Sequence, residues 1–253
     1  MSGTGGVPPN PEPTVDEIIA LLRKTALPTV VVEGSDDMII YRRLEESLGH
    51  LGVSVLAAGG RDNVLSIFGR REEIPVAVNV AFVADQDTWI YTGIPIEYRN
   101  SRLVVTAGYS IENDVFQDGN LLSLLVGAEK SRFLTELQHF VEWYSLALSR
   151  HLIDRSHAIS LHPDHVLNPA QRATLLSLNA GEPYPVALRQ RIHADYVSLV
   201  RGKSLMALFL RNTNSRGRPH ARHSDTSLLE MVAVRPGPLL QRVTRAVESI
   251  VSA

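Results

Sequence analysis

Acidic side chains directly follow two short apolar runs of the sequence. Glu33 comes after the run Thr29–Val32. Asp85 and Asp87 come after a second run, which ends at Ala84. Runs of this kind, rich in β-branched residues and without polar alternation, are typical of strands buried on both faces of a parallel sheet. Because the carboxyl ends of such strands meet at one edge, where ligands of open α/β sheets bind, we expect the three carboxylates to converge there.

A group of carboxylates at one edge predicts a divalent cation. Two carboxylates about 4 Å apart repel each other by roughly 4 kcal/mol at an effective dielectric of about 20, so three of them need a compensating charge. Carboxylate oxygens suit Mg²⁺ or Mn²⁺. Asp37, one turn into the helix that follows Glu33, and Glu112, after the fourth predicted strand, are further candidate ligands. The alternative is that these acids are only helix caps or solvated loop residues.

The elements that would position these acids alternate between strands and helices. Thr14 and Glu17 match a capping box, which predicts a helix to about Lys24. Ser35-Asp36-Asp37 is expected to cap a helix that ends near Leu48, and a third helix is expected over residues 63–68. Strands are expected over residues 29–32, 53–57, 76–84 and 103–106. This order predicts an α/β fold with a mostly parallel, four-stranded sheet.

The character of the sequence changes after Glu112, where strand patterns almost vanish. Residues 1–13 are rich in Gly and Pro and are expected to form a flexible tail. Residues 14–112 are predicted to form the α/β domain, and residues 113–253 a helical C-terminal region. Helices in this region are expected over 121–126, 132–148, 170–178, 186–200, 205–210 and 239–251.

Composition limits the possible classes of protein. The chain has 253 residues and no Cys, which excludes disulfides, thiolate zinc sites and cysteine nucleophiles. It lacks an apolar run of about 18 residues and a secretory signal pattern, so we expect a cytoplasmic protein without a membrane segment. The net charge of −2 argues against simple coating of nucleic acid but allows a local basic groove.

Basic residues offer candidate phosphate contacts. The strongest basic cluster is Arg211–His223. Its arginines are Arg211, Arg216, Arg218 and Arg222, and Arg61 extends this set of predicted nucleic-acid contacts. The guanidinium group of an arginine can donate two parallel hydrogen bonds to the oxygens of a phosphate. An equal alternative is that this segment is a solvated loop.

Gly202-Lys203-Ser204 invites comparison with a phosphate-binding loop. Such a loop needs a glycine where this sequence has Val197, so that interpretation fails. Lys203 remains a candidate catalytic residue that stabilises charge on a phosphate, with a surface lysine as the alternative.

Two of the segments described above resemble the TOPRIM domain of topoisomerases, bacterial primases, RNA-processing maturases and OLD-type nucleases. They are Val30–Asp37 (VVVEGSDD) and Phe82–Asp87 (FVADQD). The resemblance implies a Rossmann-like core in which Glu33 is a general base or metal ligand. It also implies that Asp85 and Asp87 hold Mg²⁺, and that Asp37 is the second acid of the first motif.

Further segments are similar to one branch of this family, whose stand-alone nucleases are encoded beside an ABC-type ATPase in PARIS-type anti-phage systems. These segments are Ala58–Val64 (AGGRDNV), Ser110–Asp114 (SIEND) and Gly202–Leu205 (GKSL). The resemblance implies a Mg²⁺-dependent endonuclease that acts as the toxic effector of abortive infection under control of an ATPase partner. The nucleic acid is DNA or RNA, tRNA included, and a homodimer is plausible. The alternatives are an RNA-processing maturase and a non-catalytic TOPRIM-fold binding subunit.

Overall fold

The computed structural model of the chain describes residues 13–34, 37–213 and 222–252. The predicted tail, apart from residue 13, lies outside the described residues. So do Ser35 and Asp36 of the first acidic motif, and Arg216 and Arg218 of the basic cluster.

Four short strands form one parallel sheet, as the sequence predicts. The strands are β1 (Thr29–Val32), β2 (Ser54–Ala57), β3 (Val80–Ala84) and β4 (Leu103–Val105), and their spatial order is β2-β1-β3-β4. Val31 of β1 lies opposite Leu56 on one side and Phe82 on the other. Every residue of β1 and β3 is buried, which explains their unbroken apolar sequence.

The helices that accompany the strands are short. They are α1 (Val15–Leu22), α2 (Met38–Ser47), α3 (Arg61–Gly69) and α4 (Trp89–Thr92). The predicted capping box of α1 is confirmed: the Thr14 N–H donates to Glu17 Oε2 at 2.8 Å, and the Glu17 N–H donates to Thr14 Oγ1 at 3.3 Å. The predicted cap of α2 is wrong for Asp37, which precedes the helix without a side-chain capping bond.

After β4, every regular element of the described residues is helical. These helices are α5 (Ile111–Asp118), α6 (Ala128–Ile153), α7 (Pro163–Val166), α8 (Pro169–Leu175), α9 (Val186–Ala194), α10 (Tyr196–Leu199), α11 (Gly202–Thr213), α12 (Asp225–Val234) and α13 (Pro238–Val251). The helix predicted over 186–200 is divided at Asp195, whose backbone leaves the helical region. The helix predicted over 121–126 is a 3₁₀ turn, Leu121–Leu124. No helix among the described residues is both long and apolar enough to cross a membrane.

Contacts divide the chain into two compact units. The first contains residues up to Ala84, Arg102–Val104 and the end of the chain from Val247, and the second contains Asp85–Ser101 and Val105–Ala246. The predicted division into an α/β domain over residues 14–112 and a helical region over residues 113–253 stays a prediction.

Each unit has its own apolar core. In the first, α1 and α3 pack together and α3 covers β3, where the rings of Phe68 and Phe82 meet edge to face at 5.4 Å. In the second, the long helix α6 packs against α9 and α11. Helices α5 and α11 also pack together, with Phe116 and Phe209 edge to face at 5.6 Å.

Candidate functional site

The loop that follows β3 carries two of the predicted acids and is fixed by hydrogen bonds within the second unit. The Ile111 N–H, in the first turn of α5, donates to Asp85 Oδ1 at 2.9 Å. The Gln86 Nε2 donates to the carbonyl oxygens of Thr106 and Ala107, both at 2.9 Å. The half-buried Asp85 carboxylate is therefore held at the N-terminus of a helix, where the helix dipole favours negative charge.

Asp87 adopts a left-handed backbone conformation, with φ of 49°. Its N–H donates to the carbonyl oxygen of Tyr109 at 2.7 Å. Asp is one of the few non-glycine residues that adopt this conformation readily. Burial raises the pKa of the Tyr109 hydroxyl, and the charges of Asp87 and Asp85 raise it further. The negative charges of Asp85 and Asp87 thus both affect the same buried hydroxyl group.

Asp114 fixes the turn between β4 and α5. The Gly108 N–H donates to its Oδ1 at 2.7 Å, and the Ala107 N–H donates to its Oδ2 at 3.0 Å. Burial raises the pKa of Asp114, and these two bonds oppose the rise. The side chain is fully buried, so its function is to hold the turn that supports Gln86.

Glu112 belongs to a second charged group in the same unit. It is buried, and the hydroxyl of Ser110 donates to its Oε2 at 2.5 Å. Partial burial raises the pKa of Asp225; the charge of Glu112 raises it further, and the charge of Lys203 lowers it. Lys203 and Glu112, which the sequence predicts as site residues, therefore both affect the Asp225 carboxylate through their charges. Asp225 was missed because the helix that it begins, α12, carries no clear sequence pattern.

Three predicted site residues lie in the first unit. Glu33 is half-buried at the end of β1, and its carbonyl oxygen accepts from the Gly60 N–H at 2.7 Å. Gly60 has φ of 127°, a conformation that only glycine adopts easily. This bond joins the turn after β1 to the turn after β2. Asp37 immediately precedes α2, and Arg61 is the first residue of α3.

The described arginines of the predicted basic cluster take part in ion pairs. Arg211 pairs with Glu136 at 3.0 Å and also with Asp164. Arg222 pairs with Glu129 at 3.5 Å. Phosphate contacts by these arginines stay a prediction, since binding would compete with the carboxylates.

The acids of the β3 loop are the predicted ligands of a divalent cation. Among the described residues, no three or more Asp, Glu or His side chains come together so that they could hold a metal ion. Asp85 and Asp87 supply two carboxylates from one loop. Mg²⁺ usually keeps several waters and is held by one or two carboxylates together with substrate phosphates. Coordination of Mg²⁺ or Mn²⁺ by Asp85 and Asp87 stays a prediction, and such an ion would need water and substrate to complete its coordination.

Comparison with known proteins adds no family to this description. No model of a known protein family matches the chain, and no curated protein is significantly similar to it.

Proposed function

We propose that this chain is a Mg²⁺- or Mn²⁺-dependent endonuclease of the TOPRIM kind, which hydrolyses phosphodiester bonds. The observation that supports this best is the position of Asp85 and Asp87. They stand on a hydrogen-bonded loop at the carboxyl end of β3, a central strand of a parallel sheet. Glu33 follows β1, the strand that pairs with β3. Ligand sites of open α/β sheets lie at this edge.

In the proposed reaction, the oxygen of a water molecule attacks the phosphorus of a phosphodiester. One P–O bond to a sugar breaks, and the departing sugar oxygen takes up a proton from solvent. A divalent cation held here would supply positive charge that activates the phosphate and the attacking water. In the proposal, Asp85 and Asp87 hold this cation, and Glu33 accepts the proton of the attacking water. The roles of these acids follow the resemblance described above.

Lys203 is proposed to neutralise charge that develops on the phosphate oxygens. Its side chain is exposed, so a substrate can reach it. The charges of Lys203 and Glu112 both act on Asp225, so acidic charge lies close to this lysine. Glu112 and Asp37 are further candidate metal ligands in the proposal.

The wider role that we propose is that of a toxic effector in anti-phage defence, controlled by an ABC-type ATPase partner that either holds it inactive or triggers it. This part is supported by the sequence resemblance alone. It predicts that expression of the chain without its partner arrests bacterial growth. Growth should return with Glu33→Gln or Asp85→Asn at equal protein levels. An RNA-processing maturase would instead cleave one structured RNA without arrest.

The experiment that tests the nuclease activity uses the purified chain with Mg²⁺, Mn²⁺ or EDTA. Plasmid DNA, single-stranded DNA and total tRNA are incubated separately, with the Glu33→Gln variant beside the wild type. We expect metal-dependent cleavage of one substrate class by the wild type only. Absence of cleavage with either metal, also after addition of the neighbouring ATPase, would favour a non-catalytic binding subunit.

A further inference from the structure

The junction between α10 and α11 is bonded to the elements that carry the acidic loop. The Tyr109 N–H donates to the Ser198 carbonyl oxygen at 2.8 Å, while the Tyr109 carbonyl oxygen accepts from Asp87. The Asn113 side chain donates to the Val200 carbonyl oxygen at 2.8 Å. The backbone just before Arg201 is therefore fixed beside the loop that holds Asp87.

Arg201 is the next residue along this fixed backbone. It is half-buried. Its charge acts on the hydroxyls of Tyr109 and Tyr144, the two tyrosines on which the charge of Asp87 also acts. Within the described parts of the chain, Arg201 has no ion pair with a carboxylate. This distinguishes it from Arg211, which is already paired with two acids.

The N–H groups of a half-buried arginine that pairs with no carboxylate form their strongest hydrogen bonds with a bound anion. A phosphate group matches the planar fork of an arginine and accepts two parallel hydrogen bonds. We propose that Arg201 binds the phosphate group that the nuclease cleaves, an inference that rests on the proposed function. A cation at this position also offsets the repulsion between the Asp85 and Asp87 carboxylates and an incoming polyanion.

The test compares Arg201→Ala and Arg201→Lys with the matched control Arg235→Ala. Arg235 is an exposed arginine at the end of α12, in the same unit. Binding is measured by fluorescence anisotropy with a labelled oligonucleotide of the class that the wild type cleaves. All variants are also made in an Asp85→Asn chain, so that the probe stays intact during the titration.

We expect Arg201→Ala to weaken binding by about 10- to 100-fold, as for loss of a charged hydrogen bond. The slope of log K against log salt should fall by about 0.7 to 0.9, because one phosphate contact is lost. Arg201→Lys should restore the slope but only part of the affinity, since an ammonium keeps the charge without the fork. A merely structural arginine would not change the slope, and Arg235→Ala should change neither quantity.

The outcomes separate this inference from the proposed function. If the wild type cleaves and Arg201→Ala binds and cleaves equally well, the inference is overturned and the nuclease stands. If the wild type neither binds nor cleaves any nucleic acid, both fail. If Arg201→Ala does not fold, Arg201→Lys decides: an unchanged affinity and unchanged kcat/KM would overturn the phosphate contact, and a loss in either supports it.

Discussion

Asp87 combines a left-handed backbone with the charge that the proposed reaction needs. Asparagine tolerates this conformation as well as aspartate does, but it carries no charge. We expect Asp87→Asn to fold normally and to lose about 100-fold or more in cleavage rate, because it removes a proposed carboxylate ligand. Circular dichroism and single-turnover kinetics in Mg²⁺ measure the two effects.

A second substitution at the same position separates conformation from charge. Asp87→Ala removes the charge. It also places at this position a residue that adopts the left-handed backbone conformation less readily than Asp or Asn, at a cost of about 1–2 kcal/mol. It should be as inactive as Asp87→Asn and, in addition, less stable to urea. Full activity in either variant would exclude Asp87 from the metal site.

Glu182 provides a pH-dependent prediction. Hydrogen bonds from Arg150, at 2.6 and 2.7 Å, and from the Asn179 N–H, at 2.8 Å, lower the pKa of Glu182 from 4.5 to about 2. A lowered pKa in the folded state means that the ionised form stabilises the fold above pH 4.5. This stabilisation is lost as the pH falls from about 4.5 to about 2.

The matching experiment compares the wild type with Glu182→Gln in urea. At pH 7 the variant should be the less stable of the two, and the difference should shrink steadily as the pH is lowered below 4.5. An NMR titration of the Glu182 carboxyl carbon gives the pKa directly. A midpoint near 4.5 would show that the pair with Arg150 does not form in solution.

At the scale of elements, the close approach of α11 to the start of α5 depends on Gly202. A Cβ there would lie 2.8 Å from Glu112 Oε2 and from Asn113 Oδ1, and closer still to Ser110 Oγ. These three side chains are buried and hydrogen-bonded to one another, so they cannot easily move. We therefore expect Gly202→Ala to lower the free energy of unfolding by about 1–3 kcal/mol.

Gly69, at the end of α3, is the matched control for this substitution. A Cβ at Gly69 meets no atom within 4 Å, so Gly69→Ala should be neutral or slightly stabilising. Urea unfolding of both variants measures the difference. Equal stability of the two would contradict the close packing of α11 against α5.

The sequence predicts the elements of the sheet better than the elements of the helical part. The capping box at Thr14 is a local signal and is confirmed. The strand predicted over residues 76–84 is confirmed for Val80–Ala84 only, because residues 76–79 form a turn in which Val76 is exposed. The sequence pattern over residues 186–200 predicts one continuous helix, because apolar residues occur on both sides of Asp195. The structure has two helices, which are separated at Asp195. Helix α12 was not predicted because its apolar residues do not follow a clear helical periodicity.

The residues of the candidate site were likewise predictable only where a local sequence signal marks them. Asp85, Asp87 and Glu112 could be found because acids after buried strands are visible in the sequence. Arg201 could not, since its importance comes from hydrogen bonds that join residues far apart in the chain, such as Tyr109 with Ser198. The one local indication in the sequence was that Arg201 directly precedes Gly202-Lys203.

At the scale of the whole molecule, the proposed metal site should be completed by the substrate. The chain has a net charge of −2, and the described acids do not form a group of three around a cation. We expect Mn²⁺ to bind the free chain weakly and to bind at least about tenfold more tightly, about 1.4 kcal/mol, when an uncleaved oligonucleotide is present. Electron paramagnetic resonance of Mn²⁺ measures both affinities, and equal affinities would argue against a shared coordination sphere.

The most direct test of the nuclease is a comparison of two acid-to-amide variants on the same substrates. Asp85→Asn removes a proposed metal ligand, whereas Glu97→Gln changes an exposed acid in the same unit. Cleavage is followed in Mg²⁺ on plasmid DNA, single-stranded DNA and tRNA, with the wild type as reference. We predict that Glu97→Gln cleaves at the rate of the wild type and that Asp85→Asn is slower by about 100-fold or more. Equal rates in the wild type and Asp85→Asn would contradict a metal-dependent site on the loop after β3.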